Sequence, residues 1–125
     1  MPRVDPLGLG LEFSVEPPGI VAVFRPRPEQ HGPPGYLHGG VAASCLDETM
    51  ASLGYALDGV HTVTGTLELR YRRPVPLDGR PVRLEAWHPD SGDGRRRRAR
   101  RVRGRLLLDD GTVAVEARGL FVQVR

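Results

Sequence analysis

The residues best suited to chemistry lie in one segment, the sequence YLHGG at residues 36–40, which follows a proline-rich loop and begins a helical pattern. The backbone amides of Gly39, Gly40 and Val41 are therefore expected to be unpaired donors at a helix start. Two glycines at this point let a ligand approach the backbone closely. Such donors favour a carbonyl oxygen that becomes negative when a thioester is attacked. The alternative left open by the local sequence is that the glycines only form a tight turn.

A carboxylate follows on the same helix. Asp47 lies nine residues after His38, roughly 13 Å further along at about 1.5 Å per residue. Three small residues share its side of the helix: Ala43, Ala51 and Gly54. This side is expected to face a cleft or a partner, where partial desolvation makes the carboxylate a better base. The alternatives are an ordinary surface acid at Asp47, or a role for Glu48, which projects about 100° away around the helix.

The distance between these two groups has a consequence for assembly. The amides at the helix start and Asp47 of one chain lie too far apart to hold the same reacting carbon. If both act on one substrate, a second copy of the chain must supply one of them across a two-fold interface.

The elements that position these groups can be read from hydrophobic periodicity and turn residues. The order predicted is strand, strand, helix and then four strands: 11–16, 20–25, a helix at about 39–57, 61–73, about 80–88, 98–109 and 113–124. Residues 26–35 form a proline-rich loop, and turns are predicted at 90–92 and 109–111. A single long helix among antiparallel strands buries its apolar side across a curled sheet, which is an α+β arrangement.

The long strand at 61–73 alternates strictly in sequence. Val63 and Tyr71 fall on one predicted face, and Thr64 and Thr66 fall on the other, polar face. This alternation predicts that Thr64 and Tyr71 point to opposite sides of the sheet.

Composition sets the broad class. The 125 residues fit one globular domain, with residues 1–10 as an irregular N-terminal segment, and we expect no membrane segment and a cytoplasmic location. The only cysteine, Cys45, fits a reducing compartment and lies on the apolar side of the helix, which indicates a core residue rather than a nucleophile. The four histidines lack metal-ligand spacing, so no metal and no cofactor are expected.

All 18 basic residues are arginine, and the net charge is +3. Arginine pairs well with phosphate and carboxylate groups, which makes an anionic ligand plausible. A run of arginines at 95–98, with Arg100, Arg101, Arg103 and Arg105 after it, has three interpretations. It is a solvated strand and loop, a contact for the phosphates of coenzyme A, or a surface for nucleic acid. The lack of interleaved aromatic residues argues against nucleic acid.

Taken together, the motifs resemble the hotdog-fold thioesterase superfamily, in particular its phenylacetate-pathway (PaaI-like) group. The resemblance rests on GYLHGG at 35–40 with LDE at 46–48, on TGTLELRYRRPVP at 64–76, and on DG at 110–111 with EARGLF at 116–121. It covers roughly residues 30–125. It implies a hotdog fold, in which a curved antiparallel sheet of about six strands wraps a long central helix. It also implies a homodimer joined edge to edge, or a homotetramer built from two such dimers.

The resemblance implies roles for individual residues. Asp47 corresponds to the acid that acts as general base or nucleophile, and the amide of Gly40 to the group that holds the thioester oxygen from the opposite subunit. His38 corresponds to a residue that orients the substrate or the loop. Thr64 corresponds to a hydroxyl residue that positions the water.

Four further residues are predicted to bind substrate. Gly39 lies within the motif, and His31 precedes it in a region where some members of the superfamily carry an Asn or Gln. Arg72 and Arg73 share with the arginine run a possible contact with phosphate. The function predicted is hydrolysis of an acyl-CoA thioester, with the acyl group left open. The alternative is a non-catalytic acyl-CoA-binding or regulatory hotdog domain.

Overall fold

The computed structural model describes residue 5, residues 7–89 and residues 98–124 of the chain. Within these residues the elements follow in the predicted order. They are β1 (Glu12–Glu16), β2 (Gly19–Phe24), α1 (Gly39–Asp58), β3 (Thr62–Tyr71), β4 (Val82–Trp87), β5 (Ala99–Leu107) and β6 (Val113–Gln123). The turn predicted at 90–92 lies outside the described residues. The turn at 109–111 is confirmed, and Gly111 adopts the positive φ of 86° that suits glycine there.

The six strands form one antiparallel sheet in the order β1-β2-β4-β5-β6-β3. Strand β3 comes from the middle of the sequence but lies at the far edge, where β6 is its only strand partner among the described residues. A ten-residue edge strand presents a long row of backbone groups that a further strand can pair with. The α+β class and the six-stranded sheet are confirmed.

Helix α1 packs across one face of this sheet and supplies five of the buried apolar residues of the core. Its buried apolar residues are those that recur at helical spacing: Ala42, Cys45, Leu46, Met50 and Leu53. Burial raises the pKa of the Cys45 thiol to about 12, so the thiol stays protonated and serves as a packing residue. The helix ends where Gly59 adopts a left-handed conformation, with φ 68° and ψ 21°.

Strand β3 departs from the strict alternation that its sequence predicts. Thr64 lies opposite Phe121 on β6, and Thr66 lies opposite Leu120, so Gly65 is an extra residue that forms a β-bulge. Because side chains in a strand alternate with period two, one extra residue reverses the faces beyond it. Thr64 before the bulge and Tyr71 after it consequently both face α1. The prediction that they point to opposite sides is therefore wrong.

Candidate functional site

The start of α1 is capped by its own histidine. His38 is the N-cap residue, and its imidazole Nδ1 accepts a hydrogen bond from the Gly40 N–H at 2.8 Å. The His38 carbonyl accepts the Val41 N–H at 3.0 Å. The prediction that these amides are unpaired is therefore wrong for Gly40 and Val41. Asn, Asp, Ser and Thr are the usual side-chain caps, so a histidine in this role is not expected from residue type alone.

The first amide of the helix is different. The structure shows no hydrogen bond from the Gly39 N–H to any other described residue. Gly39 is also exposed, and a Cβ at this position would meet nothing nearer than the Tyr71 ring at 3.7 Å. The donor available to a ligand at the start of α1 is thus the Gly39 N–H rather than the Gly40 N–H.

The carboxylate of Asp47 is held by the edge strand. The Thr64 hydroxyl donates a hydrogen bond to Asp47 Oδ1 at 2.5 Å. Asp47 is half-buried between α1 and β3, whereas Thr64 is exposed. The bulge at Gly65 is what turns Thr64 toward the helix, so the pair depends on that irregularity. One carboxylate oxygen is fixed by a neutral donor, and the other can take a proton.

A second contact from β3 reaches the helix start. The Tyr71 hydroxyl donates to the Gly39 carbonyl at 2.7 Å. Burial raises the pKa of this hydroxyl above its ordinary value, which keeps the phenol in its donor form. Sequence reasoning did not single out Tyr71, because the alternation of β3 placed it on the face opposite Thr64.

The proline-rich loop places His31 beside the helix start. The backbone of His31 pairs with that of Leu37 in an isolated antiparallel bridge, and His38 N–H donates to the Gln30 carbonyl at 2.8 Å. His31 lines an open groove of about 420 Å³ whose other walls are mainly proline and glycine. His31 therefore lies close to the motif, as its predicted role in substrate binding requires.

The two arginines predicted to bind substrate occupy different surroundings. Arg72 forms an ion pair with Glu116 on β6 at 3.0 Å, so its charge is already compensated. The backbone N–H of Arg73 bonds to the Ala114 carbonyl, and its side chain is exposed. Two residues later Val75 pairs with Leu37, which places Arg73 at the same end of the molecule as the helix start.

The arginine run is not one surface. Arg95 to Arg97 lie outside the described residues. Arg100 is buried, with 4% of its surface exposed, and pairs with Asp58 at 2.7 Å. Arg105 bonds to Glu85 at 2.6 Å and lies over the Trp87 ring. Arg101 and Arg103 are exposed on β5. Two arginines of the described run, Arg100 and Arg105, therefore contribute to the packing and ion pairs of the sheet.

Among residues 5, 7–89 and 98–124, no group of three or more His, Cys, Asp or Glu side chains is placed to hold a metal ion. Over the same residues, no helix is both long enough and apolar enough to cross a membrane.

Comparison with known proteins bears on this site directly. Residues 34–88, which include the helix start, Asp47 and all of β3, match the family model of the thioesterase superfamily. Acyl-coenzyme A thioesterase THEM4 of Bos taurus is 31% identical over 122 residues, which cover 94% of this chain and 48% of that protein. The chain spans about half the length of the curated relatives it matches.

Solved structures share the fold at lower identity. The PaaI protein of the phenylacetic acid degradation operon of E. coli superposes with a TM-score of 0.77 at 17% identity, over 94% of this chain and 81% of that one. A Streptococcus mutans protein solved with acetyl CoA superposes with a TM-score of 0.79 at 15% identity, over 92% and 89% of the two chains. The described residues, a helix packed on a six-stranded antiparallel sheet, thus share the fold of these solved structures, and residues 34–88 match the thioesterase superfamily.

Proposed function

We propose that this protein hydrolyses acyl-CoA thioesters to a free acid and CoA, with Asp47 as the general base or nucleophile. The observation that carries the proposal is the hydrogen bond from Thr64 to Asp47, which fixes a half-buried carboxylate on the helix of a thioesterase-superfamily chain. The relative named acyl-coenzyme A thioesterase and the neighbour that binds acetyl CoA support the substrate class. The PaaI structure supports the subgroup through its fold alone.

The chemistry needs a donor for the thioester oxygen. When water or Asp47 attacks the carbonyl carbon, the oxygen becomes negative, and a fixed N–H at a helix start stabilises it. We assign this role to the Gly39 N–H, because the Gly40 N–H is already bonded to His38. Collapse of the tetrahedral species then expels the CoA thiolate. Attack by water gives the free acid directly, whereas attack by Asp47 gives an anhydride that a water molecule then hydrolyses to the free acid. Thr64 holds Oδ1 of Asp47, which leaves Oδ2 to receive the proton of the attacking water.

The site is proposed to form between two copies of the chain. Thr64 and Tyr71 lie seven residues apart on β3, about 23 Å at roughly 3.3 Å per residue, and the helix holds Asp47 and Gly39 about 12 Å apart. If two β3 edges pair antiparallel about a two-fold axis, the Thr64 end of one strand meets the Tyr71 end of the other. Each composite site then contains Asp47 from one protomer and Gly39 from its partner. A dimer of such dimers keeps the same sites.

His31 and Arg73 are proposed to contact the rest of the substrate. Both lie at the end of the molecule where α1 begins, and both side chains are exposed. Arg73 offers a cation for the CoA phosphates. Arg72 is less suited to this role, because a carboxylate already compensates its charge.

Replacing Asp47 by Asn tests the base or nucleophile. We expect kcat for release of thiol from a panel of aliphatic and aromatic acyl-CoAs to fall by about 10²–10⁴. Glu48→Gln, one residue away on the same helix, is the matched control and should retain wild-type kcat. Both variants should keep the melting temperature and oligomeric state of the wild type. Wild-type-like activity in Asp47→Asn would contradict the assignment. A wild type that binds but never cleaves acyl-CoAs would favour the non-catalytic binding domain.

Gly39→Pro removes the proposed oxyanion donor without requiring a new backbone shape. Proline is well tolerated at the first helical position, and His38, with φ −61° and ψ 132°, already has the conformation that a residue before proline prefers. We expect kcat to fall by about 10²–10³. Gly39→Ala retains the N–H and has room beside Tyr71, so it should lose far less. If Gly39→Pro stays active, another amide donates to the thioester oxygen. The Gly40 N–H, which the sequence analysis assigned to this role, would then be the candidate.

Thr64→Val tests the hydroxyl that holds Asp47. The substitution keeps the shape of the side chain and removes one hydrogen bond to the carboxylate, so we expect kcat to fall by about tenfold or more. Thr62→Val is the matched control on the same strand and face, because the Thr62 hydroxyl donates to the Ala51 carbonyl at 3.1 Å and not to Asp47. Equal losses of kcat in the two variants would show that Thr64 has only a structural role.

A further inference from the structure

The strand residue Tyr71 begins a short chain of hydrogen bonds that ends on His38. The Tyr71 hydroxyl donates to the Gly39 carbonyl at 2.7 Å. That carbonyl belongs to the same peptide unit as the Gly40 N–H, which donates to His38 Nδ1 at 2.8 Å. One peptide unit is therefore held at its oxygen by β3 and at its hydrogen by the imidazole.

Hydrogen bonds arranged in series strengthen one another. A donor on the oxygen of a peptide group increases the positive charge on its N–H, so the bond from Gly40 to the imidazole becomes stronger. The Tyr71 ring also lies 3.7 Å from the position that a Cβ on Gly39 would occupy. Through its hydrogen bond to the Gly39 carbonyl, Tyr71 is thus placed to orient and polarise the Gly39–Gly40 peptide.

The hydrogen bond from Gly40 determines which ring nitrogen of His38 carries the proton. A neutral imidazole carries one proton, and an Nδ1 that accepts a hydrogen bond cannot carry it. The cap therefore assigns the proton to Nε2, which makes the outer edge of the ring a hydrogen-bond donor.

We propose that Tyr71 is a positioning residue that acts through the Gly39–Gly40 peptide to keep His38 as the tautomer protonated on Nε2, ready to donate to a bound thioester. The effect on turnover rests on the proposed thioesterase function. The effect on the tautomer does not, since it concerns the free protein.

The variant Tyr71→Phe tests the proposal, because it keeps the ring against Gly39 and removes only the hydroxyl. Tyr55→Phe is the matched control, since Tyr55 lies near the other end of α1 and stacks on His61. The first readout is the ¹⁵N NMR spectrum of the His38 ring in the free protein, above the pH at which histidine is protonated. We expect one tautomer, protonated on Nε2, in the wild type and in Tyr55→Phe. We expect a mixture of the two tautomers in Tyr71→Phe.

The second readout is the division of the effect between kcat and KM. With an acyl-CoA that the wild type cleaves, Tyr71→Phe should lower kcat about fivefold to tenfold, the size of one hydrogen bond, with KM changed less than about twofold. An unchanged His38 spectrum, or an unchanged kcat in a folded variant, would overturn the proposal. If the wild type cleaves no acyl-CoA, the proposed function fails, and the NMR comparison still decides whether Tyr71 sets the tautomer.

Discussion

The register between α1 and β3 is the constraint on which the candidate site depends. Three side chains of β3 bond to the helix: Thr62 to the Ala51 carbonyl, Thr64 to Asp47 and Tyr71 to the Gly39 carbonyl. A regular strand could not present all three, because Thr64 and Tyr71 are an odd number of residues apart. The bulge at Gly65 supplies the change of phase, and it also leaves the edge of the sheet bent beside the carboxylate.

Because of this register, the edge strand β3 contacts both parts of the candidate site, Asp47 and the start of α1. Strand β3 holds both halves of the site on one helix, yet the helix keeps the halves about 12 Å apart. In the proposed dimer, antiparallel pairing of two β3 edges brings the Asp47 end of one protomer next to the Gly39 end of its partner. In that dimer, the exposed edge of β3 forms the interface between the protomers and is not left open to aggregation.

Much of the fold followed from the sequence, because hydrophobic periodicity and turn residues are local signals. The helix was predicted to within a residue, from Gly39 to about Leu57 against the observed Gly39–Asp58. The cap and the bulge were not predicted. A histidine cap depends on a side-chain rotamer, and the bulge depends on the pairing of β3 with β6, which are far apart in sequence. Because the cap occupies the Gly40 N–H, the proposed donor to the thioester oxygen is Gly39 and not Gly40. Because the bulge turns Tyr71 toward α1, its hydroxyl reaches the Gly39 carbonyl.

The most direct test of the shared site is to mix two inactive variants. Equal amounts of the Asp47→Asn and Gly39→Pro variants are unfolded together, refolded and assayed for acyl-CoA hydrolysis. If each site takes Asp47 from one protomer and Gly39 from its partner, half of the dimers are mixed and each mixed dimer regains one intact site. The mixture should then recover about a quarter of wild-type activity. If each site lay within one chain, every chain would remain defective. A folded, dimeric mixture with no recovered activity would contradict the account.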